Sequence, residues 1–147
     1  MSDAPRIAIC VARFYEDLAE RLIAGARAEL GEAGVSVDDA DVFDVPGAYE
    51  LPLAAKYAAD SGRYDGVVCL GAVIRGQTSH YDYVCGESAR GIQDVQLETG
   101  VPCSFGVLTV ENLDQALARS GGDKRDSGRH AAAAVLALLA MKDRLAA

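Results

Sequence analysis

Residues 71–83 read GAVIRGQTSHYDY, an order that suits anion binding followed by proton transfer. An apolar run stops at Ile74, Gly76 lets the chain turn tightly, and Thr78 or Ser79 can cap a helix starting there. Unpaired amides at a helix start, with the positive end of the dipole behind them, attract negative charge. Gly76, Gln77 and Thr78 are therefore candidates to hold a phosphate. His80 falls in the first helical turn, where the same dipole disfavours imidazolium and leaves a neutral ring able to accept a proton. A capped strand-to-helix turn is common, and Walker spacing is absent. The histidine two residues beyond the cradle is what singles this turn out.

A second segment, VPGAYE at 45–50, brings recognition chemistry of another kind. Pro46 and Gly47 fix a bend and leave the main chain of Ala48 and Tyr49 free to pair with a planar heterocycle. Glu50 can accept hydrogen bonds from ring or amine donors, although glutamate also favours a helix start on its own account. Phe14 suits stacking on an aromatic ligand, or packing as a core aromatic. Arg119 stands near the end of a short helix, where it complements the dipole. It becomes a bidentate phosphate ligand only if folding or assembly carries it to the glycine turn. Glu111 and Asn112 read as helix-start residues, His130 as structural, and DKRD at 123–126 as a solvated loop.

The apolar pattern supplies the scaffold for these residues. Residues 6–12, 35–45, 66–74 and 102–110 read as strands, the first and third apolar enough to be covered on both faces. Leu18, Leu22, Ile23, Ala26 and Leu30 recur at helical spacing, and Gly31 and Gly34 end that helix. Further helices are predicted over 51–59, 79–99, 112–119 and 129–145. Strictly alternating strands and helices with short connections imply an α/β fold: a three-layer αβα sandwich around a four-stranded parallel, flavodoxin-like sheet. Ligands in such sheets bind beyond the carboxyl ends of the strands. Arg13-Phe14, the 46–50 bend, the 75–80 turn and Glu111-Asn112 all fall at that edge.

Composition narrows the class. The 147 residues suit one domain over 1–147. A net charge of −8 argues against sequence-independent nucleic-acid binding, while leaving room for a local anion site. The longest apolar run, 131–141, is too short to cross a bilayer, so no membrane partner is expected. Cys10, Cys69, Cys85 and Cys103 show neither CxxC nor metal-ligand spacing, and the apolar surroundings of Cys10, Cys69 and Cys103 read as small buried hydrophobes. The expectation is a reduced, cytoplasmic protein.

Three stretches, VPGAYELPLAAK (45–56), GAVIRGQTSHYDYVC (71–85) and FGVLTVENLDQALARSG (105–121), occur in this order. Together they closely resemble the 6,7-dimethyl-8-ribityllumazine synthase family of riboflavin biosynthesis, a likeness running from Arg13 to the C-terminal helix. The resemblance implies a condensation of two small-molecule substrates without cofactor or metal. These are 5-amino-6-(D-ribitylamino)uracil and 3,4-dihydroxy-2-butanone 4-phosphate. It implies that Phe14 stacks on the uracil and that Ala48, Tyr49, Glu50, Ala72, Val73 and Ile74 line the pyrimidine and ribityl pocket. Gln77 and Thr78 would contact the phosphate, and His80 would transfer protons. Phe105 and Arg119 would come from the adjacent subunit of a homopentamer, Arg119 reaching the phosphate; whether pentamers build a 60-subunit cage is left open. Where the family often has Asn-Lys-Gly before the last helix, its lysine near the phosphate, this chain has Asp126-Ser127-Gly128, which leans phosphate binding on Arg119 and leaves open whether Lys124 or Arg125 compensates. That departure keeps open a non-catalytic flavin- or lumazine-binding protein on the same scaffold. A flavodoxin-like redox module has little support without a CxxC pair.

Overall fold

The computed structural model describes residues 4–146. Four strands, β1 (Ile7–Ala12), β2 (Val42–Val45), β3 (Gly66–Ile74) and β4 (Cys103–Val110), alternate with α1 (Glu16–Glu32), α2 (Leu51–Asp60) and α3 (His80–Thr99). Two helices follow the last strand, α4 (Leu113–Arg119) and α5 (Ser127–Ala146). All strand pairs are parallel, in the order β2-β1-β3-β4, the flavodoxin-like arrangement the alternation implies.

The two faces of the sheet are set by the alternation of side chains along each strand. Ile7, Ile9 and Val11 of β1 join Val68 and Leu70 of β3 under Leu18, Leu22, Leu30, Ala132 and Val135 of α1 and α5. The intervening Ala8, Cys10 and Ala12 join Val67 and Cys69 beneath Leu51, Ala55, Ile92 and Val95 of α2 and α3. α5 approaches α1 closely because residue 128 is glycine: a Cβ there would collide with the Leu22 carbonyl. Among the described residues no helix is long and apolar enough to cross a membrane.

One expected strand is much shorter than its sequence suggests. The 35–45 stretch pairs only over Val42–Val45, after a 3-10 turn at Asp39–Asp41. Aspartates offer the backbone local partners that compete with a ladder. Here the Asp38 N–H donates to the Asp41 carboxylate (3.1 Å), and the Asp41 N–H donates to the Asp38 carbonyl (2.9 Å). At the other helix ends, boundaries move by a residue or two. α5 begins at Ser127 because Asp126 precedes it, its carboxylate accepting from the Arg129 N–H at 3.1 Å. The 123–126 stretch is thus anchored at its end rather than merely solvated.

The register makes the functional edge uneven. β1 pairs with β3 as far as Val11 opposite Leu70, which sets Ala12 level with Gly71. Ala72, Val73 and Ile74 run on beyond the end of β1 while remaining paired to Leu108, Thr109 and Val110 of β4. From β1 the chain leaves toward β2, and from β3 toward β4, so the two outgoing loops diverge and open a crevice between them.

Three of the four cysteines are core residues, as expected. Burial pushes the Cys10 thiol up to about 12, with the neighbouring Cys103 adding to the shift, and burial pushes Cys103 up to about 11. Cys69, between them, lies well above its ordinary value for the same reason. At pH 8 the buried thiols of Cys10, Cys69 and Cys103 stay protonated. A thiol–disulfide reagent at that pH should therefore find one accessible thiol per native chain, half-buried Cys85, and all four after denaturation. Cys85→Ser should abolish the native reaction. Any fast-reacting thiol in that variant contradicts this packing.

Candidate active site

The crevice between β1 and β3 gathers most of the residues singled out from the sequence. Phe14 follows β1 and is 74% exposed, its ring edge-on to Tyr15 at 4.9 Å between centroids. It is not a core aromatic. On the flank, the chain after β2 bends at Pro46-Gly47 into a 3-10 turn, Ala48–Glu50, which packs on β1, β3 and α3. Ala48 is buried and anchors that turn, whereas Tyr49 is 60% exposed. The Glu50 carboxylate accepts the Gly47 N–H at 2.9 Å through one oxygen. That bond fixes the side chain across the bend and leaves the second oxygen to accept from a ligand.

The floor is the overhang of β3. Ala72 is buried, and Val73 and Ile74 are half-buried. On their β1 side these three residues have no strand partner, so their main chain can pair with a flat ring as a further strand would.

The 75–80 turn closes the crevice. The Arg75 N–H is the last ladder donor, bonded to the Val110 carbonyl at 2.9 Å. Among the described residues, the N–H groups of Gly76, Gln77, Thr78 and Ser79 donate to no protein acceptor. They precede the 20-residue α3, so the positive end of its dipole reinforces them. Ser79 stands at the N-cap but its side chain caps nothing; Thr78 Oγ1 accepts the His80 N–H instead, at 3.3 Å. His80 is exposed and opens α3. The role expected of Gly76 needs correcting. Its φ is not positive, and a Cβ there would meet nothing within 4 Å. The fold does not need glycine at this position.

The arginines of this edge are already neutralised. Arg13 pairs with Asp44 (2.8 Å), Glu16 (3.6 Å) and Glu20. Arg75 pairs with Glu111 (2.6 Å) and Asp82 (3.5 Å) and lies 4.2 Å over the Tyr81 ring. Such exposed pairs add little stability, but they tie the β3 and β4 loops to the start of α3. Glu111 is therefore a tether for Arg75, while Asn112 does cap α4, accepting the Gln115 N–H at 2.9 Å. An anion here must rely on amides and the helix dipole.

Phe105 and Arg119 lie elsewhere. They line a cavity of about 590 Å³ on β4, the far edge strand, bounded by α3 and α5. Phe105 is 41% exposed, and Arg119 donates to the Gln115 carbonyl of its own helix at 3.1 Å. None of the crevice residues 13–14, 46–50 or 75–80 lines that cavity. One chain therefore keeps the two groups apart. Two further residues of the cavity had no settled role in the sequence reading: Arg125, left open with Lys124 as a substitute for the family's lysine, and His130, read as structural. Both line it, with Arg125 bonded to His130 Nδ1 at 3.0 Å. The only sequence signal was the density of basic residues from 119 to 130.

A family model described as 6,7-dimethyl-8-ribityllumazine synthase matches residues 4–143, nearly the whole chain.

The open space at Gly76 has a measurable consequence. Gly76→Ala should leave thermal stability unchanged or raise it by about 0.4–1 kcal/mol, because the backbone already suits alanine. The same methyl would crowd an anion approaching the free amides, so inorganic phosphate should bind more weakly. Titration calorimetry alongside a melting curve separates the two effects. Undiminished phosphate binding in the stable variant contradicts an anion cradle at this turn.

Proposed function

Because this chain belongs to the 6,7-dimethyl-8-ribityllumazine synthase family, we propose that it makes 6,7-dimethyl-8-ribityllumazine. It would condense 5-amino-6-(D-ribitylamino)uracil with 3,4-dihydroxy-2-butanone 4-phosphate, releasing phosphate and water in the penultimate step of riboflavin biosynthesis. The observation that carries this reading is the crevice itself: an exposed aromatic, unpaired strand main chain, a fixed carboxylate and free amides meet at one sheet edge, with a histidine beside them.

In this reading Phe14 stacks on the uracil, while the main chain of Ala48 and Tyr49 and the free oxygen of Glu50 bind its polar edge and the ribityl chain. Ala72, Val73 and Ile74 form the floor beneath. Gln77 and Thr78 hold the phosphate of the second substrate, which sets the ketone carbon beside the uracil amine. The amine nitrogen attacks that carbon, water leaves, and an imine forms. Phosphate then departs by elimination, and the second ring closes with loss of water. His80 moves protons at the nitrogen and carbon centres, and the amide cradle stabilises the leaving dianion. Holding two substrates in register supplies much of the remaining acceleration.

Phe105 and Arg119 complete the site from a neighbouring protomer. A crevice on one side of the sheet and its complement beside the opposite edge strand form a head-to-tail pair of surfaces, which gives a ring when the rotation between protomers closes. The proposed ring is a pentamer.

Mixing the protein with both substrates and following lumazine absorbance tests the activity, while particle mass in solution tests the assembly. Product should form well above the uncatalysed rate, from particles of five times 15.4 kDa. A folded protein that makes none rejects the proposal, and tight flavin binding without turnover favours a carrier on the same scaffold. His80→Ala should lower kcat by about a hundredfold, the low end for a general acid–base, with the fold intact. Unchanged turnover in that variant removes histidine from the proton transfers.

A further inference from the structure

The cavity on β4 reverses the charge balance of the chain around it. The chain carries 22 acidic against 14 basic residues. Yet the cavity lining contains no aspartate or glutamate and two arginines, Arg119 and Arg125. Among the described residues neither guanidinium has a carboxylate partner, a state shared with Arg6, Arg21, Arg63 and Arg144; what sets these two apart is that they line one cavity without an acid. The acid nearest in sequence is committed elsewhere: the Asp126 carboxylate accepts the Arg129 N–H and lies 4.0 Å from the Arg129 guanidinium. Two permanent cations sharing a cavity without a counter-charge repel each other, and an anion bound between them removes that repulsion.

The geometry around Arg125 is also specific. A guanidinium has donors only, so His130 Nδ1 must accept the 3.0 Å bond. In that contact the ring's other nitrogen, Nε2, is left free to donate. Ser127, also in the lining, adds a hydroxyl. Lys124, the other basic residue of the loop, does not line the cavity.

We propose that Arg125, steadied by His130, is a second cationic contact to the phosphate of the butanone substrate, acting with Arg119 of the same protomer. This rests on the reading above that the β4 cavity supplies the neighbour's half of the site. Arg125 is then a specificity residue for the phosphorylated substrate, and His130 a positioning residue that holds its guanidinium. A phosphate carries nearly two negative charges, which one arginine leaves half balanced.

The test compares steady-state kinetics and inorganic phosphate binding in wild type, Arg119→Ala, Arg125→Ala, Arg125→Lys, His130→Ala and His130→Gln. Arg125→Ala should raise KM for the phosphorylated substrate about tenfold or more, as loss of a charged hydrogen bond does. KM for the pyrimidine should stay unchanged, and inorganic phosphate should bind more weakly by a similar factor. Arg125→Lys should recover part of the loss. His130→Ala should raise only the phosphate-substrate KM, with kcat held, and His130→Gln should restore it because the amide oxygen still accepts. Phosphate-substrate KM and phosphate affinity unchanged in Arg125→Ala overturn the role, as does wild-type protein that binds no phosphate. Should wild type make no lumazine, the activity proposal fails, and the phosphate titration of Arg125→Ala still decides this one.

Discussion

The candidate site depends on a difference in strand length. β3 continues three residues past the level at which β1 stops, and it can do so because β4 accompanies it to Val110 on the other side. A parallel strand without a partner would leave polar main chain exposed along one edge, which is costly in a core and useful at a surface. Here that edge faces the crevice, where the outgoing loops separate. Its donors and acceptors have a fixed spacing, so they are ready for a flat ligand without reorganisation. The apolar layers above and below hold β3 rigidly: Val67, Val68, Cys69 and Leu70 are fully buried.

Charge is arranged on the same plan. At the crevice the arginines are bound to carboxylates and serve as tethers, so the anion-binding capacity lies in backbone amides. In the cavity beside β4, among the described residues, the arginines of α4 and its following loop stand without acids. Amides and a helix dipole are directional but partial charges, whereas guanidinium groups supply full charge and a forked geometry. A phosphate that leaves as a dianion needs both kinds of contact. In this chain they lie on different parts of the surface, the amides at the carboxyl edge and the guanidinium groups, from α4 and the loop after it, in the cavity beside the far strand. The net charge of −8 hides this division completely.

Much of this was legible in the sequence, for identifiable reasons. β1 and β3 announce themselves because central parallel strands are apolar on both faces, and α1 because its buried leucines repeat at helical spacing. The crevice residues were legible because each follows directly on a strand, so sheet topology alone brings them to one edge. β2 was over-extended because Val35 and Val37 look like strand residues, while the aspartates after them fold on themselves. Gly76 invited a conformational explanation that its backbone does not need. Arg125 was raised only as one of two basic residues near the missing lysine, and His130 was read as structural, because their cavity depends on where α3, β4 and α5 come together. Asp126 shows the same limit from the other side: in the sequence it reads as one charge in a polar loop, and in the fold it caps α5.

The separation of the two groups bears on how the fold and the chemistry are coupled. Phe14 and Tyr49 expose large apolar area to water, and so does Phe105 on the opposite edge. Exposed aromatics beside recognition groups are costly for a lone chain, and covering them is favourable. A neighbour that brings its β4 cavity over the crevice would bury aromatics from both partners and place free guanidinium groups beside free amides in one step. In the proposed assembly the two surfaces differ, so the contact would be repeated head to tail rather than paired about a twofold axis. If the proposed assembly forms, completing the site and covering exposed aromatics would have the same origin: the residues that bind substrate in the proposed enzyme are also those left uncovered by its own fold.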